Sequence, residues 1–309
     1  MARADIKTNT NSKKVKNSNP NRPEIFDVVL AVICLFVLVV TLVPFLNVLA
    51  ISFNDPIDTM RNVNMLFPRV FTVRNYVHLF SENNLMTPFI TSVSRTVIGT
   101  GLSLLATSMF SYVLSRKDFV FRKGFNIFAV ITMYVSGGLI PSYLLIVRGL
   151  NLGGNFWVYI IPGLISVWNV ILIRSYINSS IPYSLQEAAR VDGAGDFYIW
   201  FRIIFPLSTP VLATVALFIA VGQWNSFMDT YLYAKNLPTL QYILYEITQK
   251  AQMKIDPHSQ EAAEQLKNAV SPLSLRMAVT IVATVPILVV YPFLQKYFVG
   301  GLTLGAVKN

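Results

Sequence analysis

Glu187, Ala188, Ala189, Asp192, Gly193, Ala194 and Pro206 form the most pointed set of residues in the chain, inside a stretch from Ser184 to Pro206 that lies between two apolar runs. Their chemistry is docking rather than bond making. Pro182 and Ser184 are expected to open a short helix in which Glu187 follows Ser184 at capping-box spacing. Gly193, Ala194 and Gly195 then break it, and a second helical piece follows from Asp196. Pro206 and Pro210 begin the next apolar run, where a missing backbone N–H is tolerated. Ala188, Ala189, Gly193, Ala194 and Gly195 strip the turn of bulk, so another protein can approach its backbone closely.

A second set, Gln223, Trp224 and Asn225, joins an aromatic platform to amides, the combination that suits the apolar faces and hydroxyl rims of sugars. Counting from Pro210 at about 1.5 Å per residue puts Trp224 roughly 21 Å along its apolar run, in the outer half. Polar groups inside a span face protein or a water-filled cavity, whereas an interfacial aromatic belt also uses tryptophan, and both readings stay open. Arg95, about 10 Å into another run, is read as snorkelling or structurally paired in preference to substrate contact.

Bond-making chemistry has no foothold. No Gly-rich loop ends in Gly-Lys-Ser/Thr, so nothing here cradles nucleotide phosphates. His78 and His258 are far apart and lack metal-ligand spacing, so each is read as a solvated loop histidine. Cys34 is the sole cysteine, which rules out an internal disulfide. No nucleophile, base and orienting group form a recognisable motif.

The elements that must position these residues are membrane helices. Apolar residues make up 54% of the chain and charged ones 13%, against about 25% charged in soluble domains. Six apolar runs are long enough to cross a hydrocarbon layer of about 30 Å: 28–50, 88–114, 125–147, 156–177, 208–228 and 275–298. They do not alternate as barrel strands would, so the expected class is all-α and polytopic. The first run is too long for a signal-peptide core and is read as a retained anchor.

Placing both termini in the cytoplasm puts about 15 Lys and Arg inside against about nine outside, with Arg95 within a span. The +10 charge therefore reads as membrane orientation rather than nucleic-acid binding, because the basic residues sit beside apolar runs. The expected organisation is a disordered basic tail at 1–26, a first helix at 27–53, an extracellular loop at 54–86 and a core at 87–299. That core carries a cytoplasmic loop at 180–206 and an outer loop at 229–274, and a second tail occupies 300–309. Leu240 to Ile247 shows helical spacing of apolar residues within the outer loop.

Glu187-Ala188-Ala189, Gly193, Ile203 and Pro206 also resemble the signature of binding-protein-dependent ABC transporter permeases, with Phe205 in place of the usual Leu. Asp192-Gly193-Ala194-Gly195, Ile203 to Leu207 and Gly222 to Phe227 are similar to the carbohydrate-uptake branch. More narrowly they resemble permeases of Gram-positive oligosaccharide and polysaccharide importers and the second permease of the maltose system.

The resemblance implies a type I importer fold in a bacterial cell membrane, with the 180–206 loop as the coupling helix against an ATPase. Glu187 would then face basic or backbone-donor groups of that subunit, and Ala188, Ala189 and Gly193 would allow the close fit. It implies a second homologous permease, two ATPase subunits and an extracellular solute-binding lipoprotein, which the outer loop would meet unless its helix at Leu240 to Ile247 simply packs on the core. No cofactor is expected in this chain, which is not an enzyme; ATP and magnesium belong to the ATPase subunits. Import of another solute, such as a polyol or sugar phosphate, an ion-coupled carrier, and a membrane scaffold without transport remain as alternatives.

Overall fold

The computed structural model describes residues 25–61, 66–82, 85–252 and 271–306, which are mostly helical. The basic tail before residue 25 and His258 lie outside the described residues. Two compact units divide the chain, residues 1–46 and 47–309.

The first unit holds most of α1 (Ile25–Ser52), whose mean hydropathy reaches 3.2. At about 1.5 Å per residue it is roughly 42 Å long, more than the hydrocarbon layer requires. Asp27 lies in the first turn, where a carboxylate meets the positive end of the helix dipole. Val28, Leu30, Phe36 and Leu42 all expose apolar surface, so the helix has no polar face to offer water.

The second unit opens with a small folded cap built on Asn54. This fully buried amide donates to the Asp58 carboxylate at 2.8 Å and the Thr59 hydroxyl at 2.9 Å, and accepts from the Val70 N–H at 2.9 Å. The Asn75 amide donates to the Ser52 and Asn54 carbonyls at 2.9 and 3.0 Å. These bonds organise the stretch read as an outer loop into α2 (Pro56–Arg61) and α3 (Arg74–Glu82). His78 therefore sits on a helix, α3.

The 30-residue α4 (Met86–Ser115) is followed by α5 (Arg122–Tyr134) and α6 (Leu139–Leu144), which runs into a π-helical turn, Leu145–Gly149. The sequence suggests one straight span through 125–147, but α5 and the α6 segment meet at 113°. The cause is local: Gly138 has φ 83° and ψ 175°, a region that only glycine enters without strain.

A 3-10 turn, Phe156–Tyr159, then precedes α7 (Val167–Ser180). The Asn155 side chain accepts the Trp157 N–H at 3.2 Å and starts that turn, so helix fills only the later part of the run read as 156–177.

Next come α8 (Tyr183–Val191), α9 (Asp196–Tyr198), a π-helical turn Ile199–Ile204, α10 (Phe205–Leu207) and α11 (Thr209–Asn225). The segment Asp196–Leu207 meets α11 at 85°. Then follow α12 (Met228–Tyr233), α13 (Leu240–Gln252) and α14 (Pro272–Ala306). The helix expected from the spacing at Leu240 to Ile247 is α13. Helix α14 continues to Ala306, into the stretch read as a tail.

Among the described residues, α1, α4 and the Pro272–Val290 part of α14 are long and apolar enough to cross a membrane. Counting each bent pair as one span raises the number to five.

Helix α4 is the centre of the second unit, packing along α11 and α7. Its buried positions are mostly small, including Thr91, Ser92, Gly99, Ser103, Thr107 and Ser111, which lets neighbouring helices approach closely. The Ser115 end of α4 sits over an apolar cluster of Tyr112, Ile173, Ile177, Ile199, Trp200 and Ile204.

Candidate functional site

The segment from Pro182 to Pro206 folds as helix, turn, helix. Pro182 is the N-cap of α8 and makes no side-chain capping bond, so Ser184 lies within the helix and the expected capping box does not form. The C-terminal end is closed more tightly. The Ala194 N–H donates to the Ala189 carbonyl and the Gly193 N–H to the Arg190 carbonyl, both at 2.9 Å, with Gly193 at φ 83°. This is a Schellman turn, which requires a left-handed residue one place beyond the cap, here Asp192.

The turn sorts its residues between two faces. Glu187, Ala188, Asp192 and Gly193 are exposed, with Val191 beside them at 88%. Ala189 and Ala194 instead pack against the apolar cluster beneath, whose members include Ile177, Ile181 and Ile199. A side chain at Gly193 would meet nothing within 4 Å, so the glycine answers to backbone conformation there, not to crowding. Pro206 is exposed within α10, and the neighbouring Phe205 packs on the cluster in place of a leucine.

Behind this segment lies an ion network that sequence reading missed. Asp118, in the α4–α5 link, pairs with Arg116 at 2.5 Å and with Arg190 of α8 at 2.9 Å. Asp196, at the start of α9, pairs with Arg116 at 2.5 Å and Arg190 at 3.5 Å. The Tyr183 hydroxyl donates to Asp118 at 3.4 Å, and the Lys117 ammonium lies 4.9 Å from the Tyr183 ring centre. The hydrogen bond from Arg116, with a further one from Arg190, holds the Asp118 carboxyl well below the usual carboxylate range. The bond to Asp118 likewise raises Arg116. For Arg190, burial pulls downward and the Asp118 bond pushes upward, with the balance above its ordinary value. The sequence signal was a pair of charged clusters in two separate links, too far apart along the chain to be paired by spacing.

A second polar cluster occupies the Met86 half of α4. Arg95 is 2% exposed and its guanidinium donates to Gln223 Oε1 at 3.0 and 2.9 Å and to Asp229 Oδ2 at 2.8 Å. The Ser226 hydroxyl donates to the same Asp229 oxygen at 2.8 Å, and Arg95 stacks 4.4 Å from the Tyr159 ring centre. Gln223 also donates to the Tyr159 carbonyl at 3.2 Å and lies against Gly99, where an added Cβ would come within 3.1 Å of its amide.

The three residues read as a sugar path thus part company. Trp224 is buried and its indole N–H donates to the Ala283 carbonyl of α14 at 2.9 Å. Gln223 is held by Arg95, while Asn225 is exposed and accepts a bond from Gln241 at 3.3 Å. Arg95 is structurally paired with Asp229, one of the two readings that its sequence left open.

The other large feature is an apolar cavity of about 750 Å³ between α4 and the Asp196–Leu207 segment, lined by Leu105, Met109, Ile160, Phe197, Trp200 and Phe201 among others. It offers no polar partners for a sugar. Among the described residues, no three His, Cys, Asp or Glu side chains gather as metal ligands.

Comparison with known proteins identifies the family. Residues 29–303 match the family described as binding-protein-dependent transport system inner membrane component. The chain is 35% identical to the polygalacturonan/rhamnogalacturonan transport system permease protein YtcP of Bacillus subtilis, over 92% of this chain and 99% of that protein. It is 28% identical to the arabinooligosaccharides transport system permease protein AraQ of Halalkalibacterium halodurans, over 89% of this chain and 94% of that protein. Among solved structures it is similar to a chain of a bacterial ABC transporter involved in the import of the acidic polysaccharide alginate. There the TM-score is 0.78 at 28% identity, covering 89% of this chain and 96% of that one. The chain therefore belongs to the family of binding-protein-dependent inner membrane transport components.

Proposed function

We propose that this family member is the membrane-spanning permease of an ATP-driven importer for oligosaccharides or polysaccharide fragments, docking its ATPase through the exposed face of α8 and its turn. The observation that carries the reading is the Schellman turn at Gly193, which presents Glu187, Ala188, Val191 and Asp192 to solvent around a backbone free of bulk. Exposed apolar and charged groups around an open backbone suit a partner that fits closely and is held by hydrogen bonds. Ala189 and Ala194 set that face by filling the space beneath it, and Pro206 lets the chain leave the segment without an orphaned donor.

In this reading the membrane domain has six spans, with α7 as a short one and both termini in the cytoplasm of a Gram-positive cell. The chain works beside a second homologous permease, two ATPase subunits that hold ATP and magnesium, and an extracellular solute-binding lipoprotein. Closure of the ATPase pair moves the docking segments, and only the stronger binding of ATP to the closed state drives the exchange of access. Asn225 faces the solute path, while Gln223 and Trp224 form the wall behind it. The sugar relatives and the acidic-polysaccharide neighbour support a carbohydrate cargo.

Uptake assays on membrane vesicles with the full complex test this directly, using labelled oligogalacturonate and arabinooligosaccharide fragments. Uptake that requires internal ATP and persists when ion gradients are collapsed supports the proposal. Uptake driven by an ion gradient without ATP would overturn it.

A further inference from the structure

We propose that Asp118 is a positioning residue that locks the docking segment to α4, so that a displacement of α8 reaches the far half of α4 as rigid-body movement. The inference rests on reading α8 as the ATPase-docking helix, and it concerns what lies behind that surface.

The α4–α5 link holds the segment at three separated points. Tyr183 at the start of α8 meets Asp118 and Lys117, Arg190 in its last turn meets Asp118, and Asp196 of α9 meets Arg116. Contacts at Tyr183, Arg190 and Asp196, spread along the segment, restrain its orientation as well as its position. The apolar contacts of Tyr112, Ile177, Ile199 and Trp200 beneath them have no preferred direction, so the charged contacts set the register. Asp118 is the group common to Arg116, Arg190 and Tyr183.

The other end of the rod is anchored too. From Arg116 back to Arg95, α4 runs roughly 31 Å at about 1.5 Å per residue. There Arg95 grips Gln223 at the end of α11 and Asp229 at the start of α12. A movement entering at Asp118 therefore arrives at the α11–α12 junction without passing through a flexible joint.

The test uses the complex purified with its ATPase, in a Cys34→Ser background, with spin labels at Val97→Cys on α4 and Tyr198→Cys on α9, both exposed. With Asp118 intact, the inter-label distance stays the same between the nucleotide-free and MgATP–vanadate states. In Asp118→Asn, with ATPase recovery unchanged, that distance shifts by about 2 Å or more on trapping, the size of helix displacements at switching interfaces. Asp118→Glu restores the fixed distance.

Asp196 still bridges both arginines in the single variant, so Asp118→Asn/Asp196→Asn gives the larger shift. A distance that changes in the intact protein, or one that stays fixed in both Asn variants, would overturn the proposal. So would loss of ATPase from Asp118→Asn, which would make Asp118 part of docking. Failure of the docking reading looks different: ATPase recovery indifferent to changes at Glu187 and Gly193.

Discussion

Gly193 shows what a single residue does in this protein. Its φ of 83° places most other residues under strain of about 1–2 kcal/mol, more for a β-branched side chain and less for Asn. Gly193→Val is expected to open the turn and reduce ATPase recovery, whereas Gly193→Asn, which tolerates the left-handed region, retains most of it. Recovery of ATPase on the tagged permease measures both. The sequence marked Gly193 as a breaker but could not show the two backbone bonds that need it. It also placed the helix start two residues late, because Pro182 rather than Ser184 occupies the cap.

Asp118 makes a pH prediction at the same scale. Its folded value is lowered, first by the hydrogen bond from Arg116, so its contribution is complete above the unfolded value of about 3.9. That contribution is lost as pH falls through the depressed folded value. Arg116→Gln removes the main cause and should raise the titration midpoint by about one unit or more. Carboxyl-carbon NMR of the permease in nanodiscs reads the shift, and a midpoint that does not move would contradict the pairing.

At the scale of elements, α4 joins two charged clusters, and neither was legible from spacing. Arg95 announced itself as a charge within an apolar run, but its partner Asp229 is 134 residues away, beyond any helical period. Arg95 is buried while Asp229 reaches solvent, so Arg95→Ala mainly loses the hydrogen bonds to Gln223 and Asp229 and should cost about 2 kcal/mol. Arg95→Lys keeps the charge without the planar fork that serves Gln223 and Asp229 together, and should recover only part of the loss. Thermal unfolding of the purified complex distinguishes the three proteins.

The α5–α6 bend is a second element that periodicity concealed. The run carries no charged residue, as a straight span would not, and only Gly137, Gly138 and Pro141 hint at the break. Gly138→Ala is expected to destabilise the bend by about 1 kcal/mol or more, since nothing crowds the position and the strain lies in its φ of 83°. The same unfolding measurement detects it.

For the whole molecule, apolar runs and low charge revealed a helical membrane protein, and the Glu187 to Pro206 spacing identified its family. Boundaries were less legible where polar capping and turns interrupt an apolar run. Asn155 and the 3-10 turn after it leave α7 only 14 residues long, although the whole run from Phe156 is apolar enough to suggest a full span. Substrate contacts were least legible, because tertiary bonds consume Gln223 and Trp224 and leave Asn225 alone exposed.

The proposed role of the exposed face of α8 is to hold the ATPase. Affinity purification of the tagged permease from its own membranes, intact and as Glu187→Ala/Gly193→Val, tests it most directly. The intact protein should bring down an ATP-hydrolysing subunit, and the double variant about tenfold less, the ratio for roughly 1.4 kcal/mol of lost affinity. Equal ATPase recovery from both, with the variant folded in the membrane, would contradict the account.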